Sequence, residues 1–325
     1  CALPICFRGT SMGQVYNTRT LDAIQARNVI PAMDEPIPDD PESPRASEIY
    51  ENVPVLGHLS VEQFGRIMLA MTEWIYPNPD NPAEGCNACH VPGNFAAEDI
   101  YTKHVARRML QMVNTINSTY EAHVGQVGVT CYTCHRGQAV PAEVWAQAPS
   151  NAPPSRMWQV AGEQNRPVPA VGYATLPSDP FTPYLWNEEP IRHISTTPRA
   201  RENNPELPDN ASIVQAEWVY GLMMHFSTSL GVNCTFCHNS RAFSSWETST
   251  PQRITAWHGI RMVRTINNDY IEPLRDQFPP NRLGPLGDTL KVNCATCHQG
   301  YQQPLQRLDM ISDWPELATT GVPVY

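Results

Sequence analysis

The chain lacks any run of 18 apolar residues, so no stretch of it reads as a helix able to cross a membrane. Charge is scarce: Asp, Glu, Lys and Arg make up only 17% of the 325 residues. A basic excess is missing too, since 22 Lys and Arg against 32 Asp and Glu leave a net charge of -10. That balance excludes a nucleic-acid-binding reading, which needs basic patches, and suits a basic soluble partner drawn in by the complementary field. Apolar residues are 41% of the chain, while 32 prolines favour irregular or extended segments over a mostly regular fold.

Against this background four pentapeptides repeat the pattern Cys-x-x-Cys-His: Cys86 to His90, Cys131 to His135, Cys234 to His238 and Cys294 to His298. One copy is ambiguous, because Cys-x-x-Cys also serves as a zinc half-site or a redox dithiol. Four copies, each followed at once by its own histidine, do not pair across the sequence into four-ligand zinc sets. The pattern is the attachment signature of haem c: Cys86, Cys89, Cys131, Cys134, Cys234, Cys237, Cys294 and Cys297 form thioethers. His90, His135, His238 and His298 then ligate iron. Four haem c groups also supply apolar faces that aliphatic side chains would otherwise provide.

Eight of ten cysteines are thereby assigned, leaving Cys1 and Cys6. Haem c is attached outside the bacterial cytoplasmic membrane, so a periplasmic location is expected. A chain that begins at Cys1, with no initiator methionine or signal peptide, reads as a mature lipoprotein anchored through that residue. A Cys1–Cys6 disulfide is the competing reading. Since one acyl chain binds membranes only reversibly, a partner would complete the anchoring.

The chain also repeats itself. Met112-Val113-Asn114-Thr115-Ile116-Asn117 recurs as Met262-Val263-Arg264-Thr265-Ile266-Asn267, and Cys-x-Thr-Cys-His-x-Gly ends at both Gly137 and Gly300. Mainly α structure with extensive coil is expected, as two pseudo-symmetric dihaem units over 56–138 and 209–300. Residues 1–55 form an amino-terminal anchor and docking segment and 301–325 a carboxy-terminal tail. Prolines including Pro153, Pro154, Pro167, Pro169, Pro177, Pro180 and Pro183 mark 139–208 as an extended surface connector.

A helix is predicted ahead of each motif. Ser60-Val61-Glu62-Gln63 is a capping box followed by Phe64, Ile67, Met68, Met71 and Trp74 at helical spacing. Ile100, Val105, Met109, Met112 and Ile116 mark the second helix; Ile213, Val219, Leu222, Met223 and Phe226 mark the third. Thr250 and Pro251 cap the fourth, which carries Ile254, Trp257, Val263 and Ile266.

The sixth iron ligand decides between electron relay and catalysis. Met68, Met109 and Met223 lie on the stripes of the first three helices and are the candidates, with Met71, Met112, Met224 and His225 as competitors. The fourth helix differs: registered on the shared hexapeptide, Met109 corresponds to Gly259, which offers no ligand. His123, just ahead of the second motif, is the candidate partner for His298, giving a bis-histidine haem of low potential. His58, His104, His193, His225 and His258 read as surface or supporting residues. Arg107, Arg108, Arg253, Arg261 and Arg264 flank the helices where they can pair with propionates.

The chain closely resembles the tetrahaem cytochrome c subunit of purple-bacterial photosynthetic reaction centres. The resemblance is carried by Phe7-Arg8-Gly9 through Gly13, Val55-Leu56-Gly57, Thr72-Glu73-Trp74, Val105 to Met109, Gly128 to Gly137, Asp179-Pro180-Phe181-Thr182, Leu230 to Asn239, and Thr250-Pro251-Gln252-Arg253 onward. It implies the ligand pairs Met68/His90, Met109/His135, Met223/His238 and His123/His298, and permits a diacylglycerol on Cys1. It also implies a near-linear haem array on the periplasmic face of the L and M subunits, with H in the complex and light-harvesting 1 nearby. The third haem would lie nearest the special pair, then the fourth, second and first. Residues Tyr76 to Pro82 make the segment ahead of Cys86 longer than in the family, next to the outermost haem, where the soluble donor is expected to dock.

The expected function is non-enzymatic: passing electrons from a soluble cytochrome c or high-potential iron–sulfur protein to the photo-oxidised special pair. Competing readings are a free-standing respiratory carrier, or a multihaem oxidoreductase with an open iron site.

Overall fold

The helices fall where capping residues and apolar spacing place them. The computed structural model describes residues 17–32, 35–78, 80–149, 168–191 and 213–318. Cys1, Cys6, His193, Pro153, Pro154, Pro167 and the stretch from Phe7 to Gly13 lie outside them. Among the described residues the longer helices are α1 (Thr18–Arg27), α2 (Val61–Ile75), α3 (Tyr101–Thr119), α5 (Ile213–Leu230) and α6 (Pro251–Thr265). Two short ones, α4 (Cys131–His135) and α7 (Cys294–His298), are the second and fourth motifs themselves. The structure is mainly helical, with only isolated bridges such as Trp145 with Lys291 in place of strands among the described residues.

α2 starts with the expected reciprocal cap: Gln63 N–H donates to Ser60 Oγ at 3.2 Å and Ser60 N–H to Gln63 Oε1 at 3.3 Å. At α6 the expectation is met only in part. Thr250 has extended backbone and Pro251 opens the helix, but the Thr250 hydroxyl donates to the Phe236 carbonyl at 2.5 Å instead of capping. The cap is thereby used to tie α6 to the third motif. Val263 on α6 and Ile266 just past its end are buried as expected, whereas Ile254 and Trp257 are exposed.

Three apolar clusters hold the molecule. The first joins Ile67 and Trp74 of α2, Leu110 and Val113 of α3, and Leu305, Met310, Trp314 and Leu317. The segment expected to be a carboxy-terminal tail therefore folds back onto the amino-terminal half, at least as far as residue 318. The second gathers Trp145, Phe181, Tyr184 and Leu185 against Val219, Leu222 and Val263. Residues 168–191 thus depart from the surface connector expected of their prolines: Val171, Tyr184 and Leu185 are almost fully buried. Phe181-Thr182-Pro183-Tyr184-Leu185 sets enough apolar bulk around its one proline to form core, which counting prolines misses.

The third cluster lies between the halves and contains Ile116, Met262, Ile266 and Ile271, with Met112 packed against them. Here the two copies of the hexapeptide face each other. Thr115 Oγ1 meets the Tyr270 hydroxyl at 2.5 Å, and Thr265 Oγ1 meets the Tyr120 hydroxyl at 2.6 Å. Each copy gives a threonine to the other's tyrosine, the reciprocity of a two-fold contact.

Candidate haem-binding sites

The asparagine that ends the hexapeptide fixes the approach to the even-numbered motifs. Asn117 Oδ1 accepts from Val129 N–H at 2.8 Å and its Nδ2 donates back to the Val129 carbonyl at 2.9 Å. Asn267 does the same with Val292, at 2.9 and 3.0 Å. Val129 and Val292 each stand two residues before the first motif cysteine, so a helix side chain sets where the cysteine pair begins. Thr130 with Thr133, and Asn293 with Thr296, then cap α4 and α7. Both helices stop in left-handed backbone, Arg136 (φ 48) then Gly137 (φ 79), and Gln299 (φ 45) then Gly300 (φ 94). The second residue of each pair needs glycine's freedom.

Those glycines also set the register of the upstream helices. Gly137 N–H donates to the Trp74 carbonyl of α2 and Gly300 N–H to the Ser229 carbonyl of α5, both at 2.8 Å. Met68 and Met223 each lie six residues before the acceptor. They are therefore positional counterparts, with Met71 matched to Phe226.

All four motif histidines are held alike. Nδ1 of His90 lies 3.1 Å from the Phe95 carbonyl, His135 2.8 Å from Gln138, His238 2.9 Å from Phe243 and His298 2.9 Å from Tyr301. A carbonyl accepts only, so each Nδ1 carries the proton and each Nε2 keeps its lone pair for a metal. The acceptor stands five residues on at His90 and His238 and three residues on at His135 and His298. Odd and even motifs are thus built to two different templates, each used twice.

A fifth histidine has the same arrangement. His123 Nδ1 lies 2.9 Å from the Thr255 carbonyl on α6, and its ring centre is 6.0 Å from that of His298. Two imidazoles on opposite sides of one metal, each about 2 Å from it, hold their ring centres roughly 6 Å apart. The ring occupies the space above Gly259, where an added Cβ would come within 2.4 Å of its Cε1. Burial lowers the pKa of His123, His135 and His238. Burial, with the charge of His123, takes His298 down to about 4. Neutral imidazole, the ligating form, is favoured at each.

Met109, Met223, His123, His135, His238 and His298 line a connected, largely apolar cavity of about 2360 Å³ that reaches both halves. Seven of the eight motif cysteines line it as well; Cys86 lies off it, as do Met68 and His90, while Met71 and Cys89 line its first-motif end. Met68 is tied to this motif through Thr72, whose hydroxyl donates to the Met68 carbonyl at 3.0 Å and lies 4.0 Å from Cys86 Sγ. An apolar cavity lined by seven of the motif thiols and by Nδ1-anchored imidazoles fits haem c. Arg136, next to the second motif, donates to the Cys297 carbonyl of the fourth at 2.6 Å. The second and fourth motifs therefore adjoin.

Other readings divide. Arg253, Arg261 and Arg264 line the cavity, whereas Arg107 and Arg108 do not. Of the supporting histidines, His58 is exposed, but His225 is only 4% exposed, packed edge-on to Phe181, its ring bonded to Ser229. Burial, then the nearby His298, brings its pKa down to about 3. Sequence reasoning missed the carbonyls that hold the histidines, since a backbone acceptor leaves no residue-type signal. The clamping role of Asn117 and Asn267 did leave one, in the repeated hexapeptide.

A family described as photosynthetic reaction centre cytochrome C subunit matches residues 3–318. The photosynthetic reaction center cytochrome c subunit of Thermochromatium tepidum is 48% identical over 322 residues, 98% of this chain and 75% of its own length. The protein of the same name from Rubrivivax gelatinosus (strain NBRC 100245 / IL144) is 47% identical over 315 residues, 96% of this chain and 81% of its own. That from Roseobacter denitrificans (strain ATCC 33942 / OCh 114) is 46% identical over 287 residues, 86% of this chain and 75% of its own. With its four Cys-x-x-Cys-His motifs and this likeness over nearly its whole length, the chain belongs to the family of photosynthetic reaction-centre cytochrome c subunits.

Proposed function

We propose that the chain carries four haem c groups, one per motif, and returns electrons to a photo-oxidised bacteriochlorophyll special pair. Bound haem c supplies one-electron iron chemistry. The chain supplies attachment, the second ligand, spacing and the surrounding field. The single observation that carries this reading is His123. With Nδ1 held by Thr255 and its ring seated in the space above Gly259, 6.0 Å from that of His298, it takes the position a substrate would need. That favours a relay over a multihaem oxidoreductase.

The remaining ligand pairs are Met68 with His90, Met109 with His135 and Met223 with His238. The common register of Met68 and Met223 supports them, as does the placing of Met109 and Met223 on the cavity wall. Reciprocal Thr–Tyr contacts and the twice-used histidine templates support two pseudo-symmetric dihaem units. The Arg136 bond to the Cys297 carbonyl supports an order in which the fourth and second sites are neighbours.

The names of the relatives support association with a reaction centre, here assigned to its L and M subunits, with H in the complex and light-harvesting 1 close by. The chain is assigned to the periplasmic face, held by a lipid on Cys1; no helix among the described residues is long and apolar enough to cross a membrane. The donor is a soluble cytochrome c or high-potential iron–sulfur protein, and the net charge of -10 favours a basic one.

Magnetic circular dichroism of the intact protein tests the ligand set: three histidine–methionine irons and one bis-histidine iron are expected. Rapid stoichiometric carbon monoxide binding to the reduced protein would establish an open site and the oxidoreductase reading instead. Flash illumination of membranes should oxidise the cytochrome; no flash-induced oxidation would favour a free-standing carrier.

A further inference from the structure

The chain has two lysines, Lys103 and Lys291, among its 22 basic residues, and both are buried. Lys291 lies between Asp288 and Glu272, an ion cluster that closes on itself. Lys103 is different: its nearest partners are carbonyls. Its ammonium donates to three consecutive ones, Phe95 at 2.9 Å, Ala96 at 3.0 Å and Ala97 at 2.8 Å, which uses all three of its N–H bonds. The carboxylate of Glu98 lies 3.6 Å away, shared with Arg107 and His104. The Phe95 carbonyl is also the one that holds Nδ1 of His90.

One carbonyl oxygen therefore accepts from a cation and from the first motif's imidazole. An acceptor draws the Nδ1 proton and gives the ring imidazolate character, which favours ferric iron; hydrogen bonding and charge around a ligand are levers on potential. A lysine on the same oxygen withdraws electron density from it and adds a buried positive charge. Both effects favour the ferrous state.

The second half gives an internal contrast. In the register that matches Met112 with Met262, Lys103 corresponds to Arg253. Arg253 also reaches back to the loop after its motif, but it donates to the Ser245 carbonyl at 2.7 Å and Ser249 Oγ at 2.8 Å. The carbonyl on His238 belongs to Phe243. The cation is kept in both halves; the shared oxygen occurs at the first motif.

We propose that Lys103 is a positioning residue that raises the potential of the first haem through the Phe95 carbonyl it shares with His90. The inference rests on the reading of Cys86 to His90 as a haem site. It is tested by redox titration of the haem-loaded full chain, the first haem's wave being the one lost in a Cys86→Ser, Cys89→Ser variant. Lys103→Gln should shift that haem toward the oxidised form at fixed ambient potential by at least roughly threefold, about 28 mV at 59 mV per decade. Lys103→Arg should recover most of the shift. Glu98→Gln, which removes the opposing charge, should move the same wave toward the reduced form.

Mere loosening of the loop would admit water and drive both variants toward the oxidised form. Shifts of one sign in Lys103→Gln and Glu98→Gln, or no shift in either, would overturn the proposal. So would an equal shift of the third haem in Arg253→Gln, since sharing of the carbonyl would then be irrelevant. If the double cysteine variant loses no haem and no wave, the haem reading of the first motif fails. If the wave disappears there but stays fixed in the charge variants, only the role of Lys103 fails.

Discussion

The ring of His123 lies against the backbone of Gly259, so close that a Cβ at that position would sit 2.4 Å from Cε1 and 2.7 Å from Nδ1. A position without a side chain on one helix thus makes room for an imidazole from elsewhere. Gly259→Ala adds one carbon in a buried stretch of α6, where alanine's backbone preference would otherwise stabilise by about 1 kcal/mol. The clash should instead displace His123. The expected result is loss of the bis-histidine signature from one iron, seen by electron paramagnetic resonance, with the other three unchanged. A more stable protein with an unaltered spectrum would sink the assignment.

The reciprocal pairs Thr115/Tyr270 and Thr265/Tyr120 make a second expectation concrete. Each is a part-buried hydroxyl–hydroxyl bond across the two halves, worth about 1 kcal/mol net. Tyr120→Phe and Tyr270→Phe should therefore each lower unfolding stability by similar amounts in denaturant titrations. A difference between them larger than about 1 kcal/mol, comparable to one whole bond, would argue against equivalent environments.

Asn267 is fully buried and serves three backbone groups: the Leu185 carbonyl and both the carbonyl and N–H of Val292. Removing it strands those groups away from water, at a cost of about 3 kcal/mol. Asn117 is only part-buried, so its loss should cost less, about 1–2 kcal/mol. Asn267→Ala and Asn117→Ala compared by chemical unfolding check the ranking, and an equal or reversed order would show that burial does not set these costs.

Much of this arrangement is legible in the residues. The motifs name their own chemistry, the capping box at Ser60 places α2, and the shared hexapeptide puts Gly259 opposite Met109, which sends attention to His123. Two kinds of feature are not legible. Residues 168–191 read as connector because their prolines are conspicuous, yet Tyr184 and Leu185 find burial against α5 and α6, a tertiary outcome. Lys103 and His225 are ordinary polar residues in sequence; only the fold shows that one meets three carbonyls and the other a packed wall of Phe181 and Ser229.

Glu98 gives a pH-dependent expectation whose sign follows from its neighbours. Burial pushes its pKa up, but hydrogen bonds from Arg107 and Asn52 and the charges of Arg107 and Lys103 outweigh that and bring it down to about 2. In the unfolded chain the group titrates near 4.5, so between these values the unfolded state binds the proton and the folded state does not. The stabilisation is complete above pH 4.5 and is lost as pH falls toward 2. Because the side chain is 40% exposed, water and salt weaken the effect. The melting temperature of the wild type should drop more steeply than that of Glu98→Gln from pH 4.5 downward, and high salt should narrow the gap. Parallel curves at low salt would mean that Glu98 does not hold the loop from Phe95 to Ala97 against Lys103.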